Sequence, residues 1–222
     1  MLHALLYHLN KDILDQPKEN WTYASLVHRI DKDTSGLLVI PKHEFANSFL
    51  ARQFFERTVQ RLYTAIVWGD VKEDSGTITG HVGRHRVHRK QFTVYPDGSV
   101  GKRAVTHYRV LERFGFATLV ECKLETGRTH QIRVHMKYAG HTLLSDWFYG
   151  GHHLQVKPNL PKFEDFMHHV MEAIPRQALH ARTLGFIHPG TREFADYSSD
   201  LPADFQKAIE MMRKYRDTYM KG

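Results

Sequence analysis

His28-Arg29-Ile30-Asp31-Lys32-Asp33-Thr34-Ser35-Gly36-Leu37-Leu38-Val39-Ile40 sets a polar, turn-forming knot between two apolar runs. Leu26-Val27 leads in, Asp31 to Gly36 carries the turn chemistry, and Leu37 to Ile40 resumes a buried β-type run. The pattern predicts strand, tight loop, strand, with Asp31 where an apolar strand emerges. Two ordinary explanations compete with a catalytic one. Asp31, Asp33, Ser35 and Gly36 fill the first, third, fifth and sixth places of a calcium loop, but the twelfth place, which needs a bidentate Glu, is Lys42. The other is an Asx turn, in which Asp33, Thr34 and Ser35 bond nearby backbone amides.

Outward from that segment the chain is large enough for a sizeable core: 222 residues, 41% hydrophobic. Its formal net charge is +7 with 17 further histidines, which favours a polyanionic partner. The distribution is more telling than the sum. From Ser75 to Pro96 there is no acidic residue, while Arg84, Arg86, Arg89 and Lys90 crowd together with His81, His85 and His88. A solvated basic loop is the plain reading of such a run. Cys122 is the single cysteine, so no disulfide forms within the chain and no thiolate zinc cluster can be built. Leu2 to Leu9 is apolar but interrupted by His3 and His8 and is too short to cross a bilayer. The expectation is a cytoplasmic protein with no membrane partner.

Periodicity supplies the rest of the framework. Leu2, Leu5, Leu6 and Leu9 have helical spacing, as do Phe45, Phe49, Ala46, Leu50 and Phe54 within a helix from His43 to Arg57, whose phenylalanines are expected in the core. Val59 to Val67 alternates as a strand. Thr77 to Val82 and Gln91 to Tyr95 form two arms of an excursion bearing the basic cluster, and Pro96-Asp97-Gly98-Ser99 is a turn. Thr106 to Leu111 and Ala117 to Leu124 read as antiparallel strands. Thr129 is a candidate cap for a helix running to Tyr138 with Gly140 as its left-handed stop, which places Arg133 one turn inside. Helices over Phe163 to Ala173 and Asp204 to Tyr219, and a strand over Leu179 to Ile187, complete an α+β fold with a mostly antiparallel mixed sheet and flanking helices.

The opening segment resembles the H-R-L-D-x-x-T-S-G-L-L signature of RluA-type RNA pseudouridine synthases, with Ile30 for the usual Leu. The likeness continues in Arg61-Leu62-Tyr63-Thr64-Ala65-Ile66-Val67-Trp68-Gly69, in Gly101-Lys102-Arg103-Ala104-Val105-Thr106-His107-Tyr108, in Glu125-Thr126-Gly127-Arg128-Thr129-His130-Gln131-Ile132-Arg133-Val134-His135, and in Arg176-Gln177-Ala178-Leu179-His180-Ala181. Five blocks in order cover about residues 26 to 190. The resemblance implies the pseudouridine synthase catalytic fold and one catalytic domain over residues 1–222; the S4-type module that many members carry is not visible in this chain.

It also implies a chemistry: isomerisation of RNA uridine to pseudouridine, in ribosomal RNA first and tRNA as the alternative, by a monomer using no cofactor. The competing class is a non-catalytic RNA-binding protein that retains the fold. Asp31 matches the family's catalytic aspartate, and a carboxylate there can attack carbon or remove a proton. Arg133 matches the arginine set against it, whose planar fork is expected to hold both Asp31 oxygens and keep them charged. Tyr63 matches the tyrosine that stacks on the base and passes protons; a core aromatic is the plainer role. Arg29 matches the arginine linked with base flipping, with a phosphate or structural contact as the equal alternative, and Arg84, Arg86, Arg89, Lys90, Lys102, Arg103 and Arg128 are candidate RNA contacts. His130, His135 and His180 are expected as structural hydrogen-bonders. His81, His85 and His88, His152-His153 and His168-His169 could bind zinc or nickel but complete no recognised ligand set, and no metal is expected.

Overall fold

The computed structural model describes residues 2–17 and 25–220. Its elements run α1 (Leu2–Asn10), a short 3-10 turn (Lys11–Ile13), β1 (Ser35–Gly36), α2 (Glu44–Glu56), β2 (Gln60–Trp68), β3 (Ser75–Arg84), β4 (Phe92–Tyr95), β5 (Lys102–Arg113), β6 (Ala117–Leu124), α3 (Gln131–Tyr138), α4 (Phe163–Ala173), β7 (Leu179–Ile187), β8 (Phe194–Ser198) and α5 (Ala203–Tyr219). The eight strands form one mixed sheet, β1-β7-β2-β6-β5-β3-β4, with β8 also on β7. Every pairing is antiparallel except β1 with β7. This is the α+β architecture expected from the sequence.

The central strand β2 explains why both faces are covered. Ile66 and Trp68 point into a cluster with Leu119 of β6 and with Met167, Val170, Phe205, Ile209 and Met212 of α4 and α5. Tyr63, Ala65 and Val67 point the other way, against Val120, Cys122 and the α3 residues Ile132 and Met136. A strand buried on both sides reads as a continuous apolar run, and residues two apart share a face. Arg61 therefore shares the α3 face with Tyr63. The excursion β3–β4 folds back over α3, with Val82, Val94 and Ala104 packed on Val134 and Tyr149.

Several expectations need correction. The Asp31 segment is not strand, loop, strand: β1 spans two residues, and Leu26-Val27 and Leu37 to Ile40 are irregular. The second apolar run is half-buried and touches the sheet through the Leu37 N–H to the Ala181 carbonyl, 3.0 Å. The α2 phenylalanines are not core: Phe45 is 53% exposed and Phe49 and Phe54 are half-buried, while Ala46 and Leu50 carry the buried face. Arg192 covers the outer pair, its guanidinium 4.3 Å from the Phe49 ring centre and 5.2 Å from that of Phe45. Thr129 is not the cap of α3. His130 stands there at φ 57 with no capping side chain, because Gln131 in the first turn reaches back to accept the Arg128 N–H at 3.0 Å. Helix α1 forms as expected, though the Leu2 side chain lies outside the described residues.

Candidate active site

The Asp31 turn is closed by the Thr34 N–H donating to the Asp31 carbonyl at 3.1 Å, and is fastened to the protein from far along the chain. Gln177 Nε2 donates to the Lys32 carbonyl (2.6 Å) and to Thr34 Oγ1 (3.1 Å). Arg176 Nη1 donates to the Asp33 carbonyl (3.2 Å) while its other nitrogens are held by Asp204 at 2.8 and 3.0 Å. Ser35 Oγ and His180 Nδ1 lie 2.9 Å apart. Thr34 and Ser35 thus bond these distant groups, not the neighbouring amides expected of an Asx turn. Gly36 is required: at φ 107 it lies so close to β7 that a Cβ would meet the Ala181 carbonyl oxygen at 2.2 Å.

Opposite the turn, α3 presents Arg133. Its Nη1 lies 3.5 Å from Asp31 Oδ2, a single long contact. The bidentate partner is another residue. Arg133 Nε and Nη2 donate to Asp146 Oδ2 and Oδ1 at 2.7 and 2.8 Å. Asp146 Oδ1 also accepts the backbone N–H groups of Phe148 (3.1 Å) and Tyr149 (3.2 Å), in a loop whose preceding Ser145 has φ 57. The Tyr149 ring backs the guanidinium, its centre 4.8 Å from Cζ. Burial alone would lower the Arg133 pKa; hydrogen bonding to Asp146, then the charges of Asp146 and Asp31, outweigh it and raise it. The expected fork onto Asp31 fails because two oxygens of Asp146 already fill the Nε–Nη2 edge. What remains is one N–H aimed at Asp31.

His130 completes this wall. Its Nδ1 lies 2.7 Å from the Tyr149 hydroxyl, which itself accepts the Phe92 N–H at 3.1 Å, so the phenol donates to an unprotonated ring nitrogen. Burial lowers the His130 pKa and pushes the Tyr149 phenol up to about 12, consistent with that neutral pair. His180 bonds Ser35 as expected of a structural histidine. His135 does not: both ring nitrogens are buried without a partner among the described residues, and burial lowers its pKa to about 4.

Between turn and helix lies a cleft of about 400 Å³ lined by Asp31, Tyr63, Arg29, Arg61, Arg128 and His130, among others. Tyr63 is buried; burial raises its pKa, Arg61 opposes and Asp31 adds to the rise. The tyrosine is at once a core residue and a cleft wall. Arg29 is exposed at the rim and Arg128 is half-buried, its Nε donating to the Arg103 carbonyl at 3.2 Å. Arg84, Arg86, Arg89, Lys90, Lys102 and Arg103 are exposed on the excursion and the start of β5, outside the cleft lining. Among the described residues no group of three His, Cys, Asp or Glu side chains could hold a metal ion.

Sequence reasoning missed Asp146, Tyr149, the Arg176-Gln177 clamp and Arg61. Arg176-Gln177 and Arg61 stood inside motif blocks without an assigned role. Asp146 had a faint signal, a lone acid opening the aromatic run Trp147-Phe148-Tyr149.

A family model described as RNA pseudouridylate synthase matches residues 5–138. Over 96% of its length the chain is 44% identical to an uncharacterized RNA pseudouridine synthase of Chlorobaculum parvum, covering 65% of that protein. Over 85% it is 49% identical to another of Bacillus subtilis, covering 56%. Over 99% it is 43% identical to ribosomal large subunit pseudouridine synthase D of Pseudomonas aeruginosa, covering 64%. The chain therefore spans less than two thirds of the length of these curated relatives. Two human structures share the fold: RNA pseudouridylate synthase domain containing 4 (TM-score 0.71, 23% identity, 95% of this chain and 83% of that one), and domain containing 1 (TM-score 0.63, 26% identity, 86% and 80%).

Proposed function

The chain belongs to the RNA pseudouridylate synthase family, and from that premise we propose that it isomerises uridines of RNA to pseudouridine with Asp31 as the catalytic carboxylate. The observation that carries the proposal is Asp31 facing Arg133 Nη1 at 3.5 Å in a cleft that also holds Tyr63, with Arg29 and Arg128 in its lining. The reaction breaks the ribose C1′ to uracil N1 bond and joins C1′ to C5; C5 gives up a proton and N1 gains one. Nothing is added or removed, so the chemistry calls for no redox partner or energy source, and turnover is expected to persist in a chelator.

The uridine leaves its stack to reach Asp31, at a cost of a few kcal/mol that is smaller in a loop or single strand. Arg29, at the rim two residues before Asp31, is placed to fill the vacated space, since guanidinium planes stack on bases. Tyr63 supports the base from the sheet. The exposed cations of β3–β4 and of Lys102-Arg103 contact backbone phosphates, which position RNA without reading its sequence. Ribosomal RNA is the proposed substrate, on the strength of the Pseudomonas aeruginosa relative's name. We further propose a single catalytic domain acting as a monomer in the cytoplasm; among the described residues no helix is long and apolar enough to cross a membrane.

Pseudouridine mapping of total RNA, from cells with and without the gene and with an Asp31→Asn rescue, tests the proposal. Specific sites should disappear with the gene, return with the wild-type gene, and stay absent with the variant. A map unchanged by deletion, or restored by Asp31→Asn, refutes it. Lost sites in tRNA alone would move the substrate assignment there.

A further inference from the structure

Arg61 is only 9% exposed, yet no carboxylate among the described residues pairs with it and its Nε is buried without a hydrogen-bond partner. We propose that Arg61 is the receptor for a backbone phosphodiester of the RNA strand whose uridine occupies the Asp31 cleft. This rests on the function proposed above and adds to it a specific anion subsite.

The surroundings are built for an incoming anion. Arg61 and Tyr63 lie two residues apart on β2 and face the same way, about 7 Å apart along the strand. A base against Tyr63 would bring its own sugar-phosphate towards the Arg61 end. The guanidinium packs over Phe54, 5.5 Å from the ring centre, which fixes its plane. Its Nη1 tip lies against Gly127, where a Cβ would approach to 2.9 Å. A side chain at that position would crowd the fork.

The two acids in the cleft lining are each engaged by a residue other than Arg61. Glu125 is paired with His107 at 2.7 Å, and Asp31 faces Arg133. The other charged groups in the lining are Arg29, Arg57 and Arg128, all cations. His28, stacked 4.5 Å from Phe54, accepts the Val39 N–H at its Nε2 and so adds a neutral wall. A buried cation without a partner costs the folded protein stability. A phosphate oxygen pair matches its donor geometry and removes that cost on binding.

Binding, not turnover, provides the test, so that failure of the catalytic reading and failure of this one are distinguishable. Fluorescein-labelled hexauridylate is titrated into the full chain at several potassium chloride concentrations, for the Asp31→Asn protein alone and with Arg61→Met or Arg61→Lys. Arg61→Met should weaken binding about tenfold and flatten the plot of log K against log salt by about 0.7, one phosphate contact on a single strand. Arg61→Lys should keep the slope and lose about threefold, because an ammonium lacks the fork. The melting temperature of Arg61→Met without RNA should equal or exceed that of the parent. Unchanged affinity and slope in both variants overturn the proposal, as does a lower melting temperature with binding intact, which would make Arg61 a structural residue. A parent protein that does not bind hexauridylate in a salt-dependent way overturns it together with the RNA reading of the cleft. Normal binding with an unchanged pseudouridine map sinks the catalytic reading alone.

Discussion

Two buried arginines stand around Asp31, Arg133 against its carboxylate and Arg61 in the wall of the cleft it lines, and they are treated in opposite ways. At the α3 end Arg133 is saturated: Asp146 takes two of its donors, Tyr149 backs its plane, and one N–H is left over for Asp31. At the β2 end Arg61 has a ring beneath it and no acceptor among the described residues. The contrast suits the proposed roles, in which the arginine beside the catalytic carboxylate is held by the protein and the arginine that receives a ligand is left open. The same contrast recurs on a larger scale, between the Asp31 turn, bonded by Arg176, Gln177 and His180, and a basic excursion whose cations face solvent.

The contrast breaks most visibly at the saturated end. Asp146→Asn should leave a buried guanidinium without its counter-charge, costing about 3–5 kcal/mol of stability, and turnover should fall 100-fold or more by an order-of-magnitude expectation. Arg133→Lys keeps the charge and the fold but loses the fork, so turnover should drop strongly while RNA affinity stays near wild type. Single-turnover kinetics beside an RNA titration separates the two effects, and wild-type turnover in Arg133→Lys would refute the pairing.

Tyr63→Phe is milder. Because burial holds the phenol protonated, loss of its hydroxyl should preserve folding and RNA binding yet slow product formation, by roughly tenfold to 100-fold if it carries the last proton. A rate equal to wild type would reduce Tyr63 to a packing residue. On the open side, Arg86→Gln with Arg89→Gln should weaken binding and flatten the salt slope by about 1.4 while leaving the chemical step alone. Saturating RNA should therefore restore the full rate; a rate that stays low would place those cations in the chemistry.

The smallest effect concerns pH. His28 and His135 are both lowered by burial to about 4 from 6.5, with the Arg61 charge a second cause at His28. The folded state thus favours their neutral forms. Their contribution to stability is complete above about pH 6.5 and is lost as the pH falls towards 4. Melting temperature should drop by several degrees between about pH 7 and pH 5, and His135→Leu should flatten that dependence. A slope unchanged by the substitution would exclude His135 as its source.

How much of this was legible in the sequence follows from which interactions are local. Strands and helices with strong periodicity, such as β2, β6, α4 and α5, lie within a residue or so of where the pattern placed them. Asp31, Tyr63 and Arg133 were singled out through motifs; Asp31 and Tyr63 line one cleft, and Arg133 reaches Asp31 at 3.5 Å. The errors share a cause. Alternation cannot show that Leu37 to Ile40 runs beside β7 with little regular pairing, nor that Arg192 would cap the α2 phenylalanines from far along the chain. Arg133's partner lies 13 residues downstream in an irregular loop, where no period gives it away. A buried arginine without an acceptor is visible only in three dimensions.

The bonds from Gln177 to Lys32 and from Ser35 to His180 each join residues 145 positions apart. During synthesis the turn that carries Asp31 therefore lacks these bonds until residues 177–180 have emerged and β7 has docked. Such distant closure belongs to slow, late stages of assembly. On the roles proposed above, a nascent or nicked chain lacking β7 but displaying its basic excursion would hold RNA while being chemically inert, which separates capture from conversion in time.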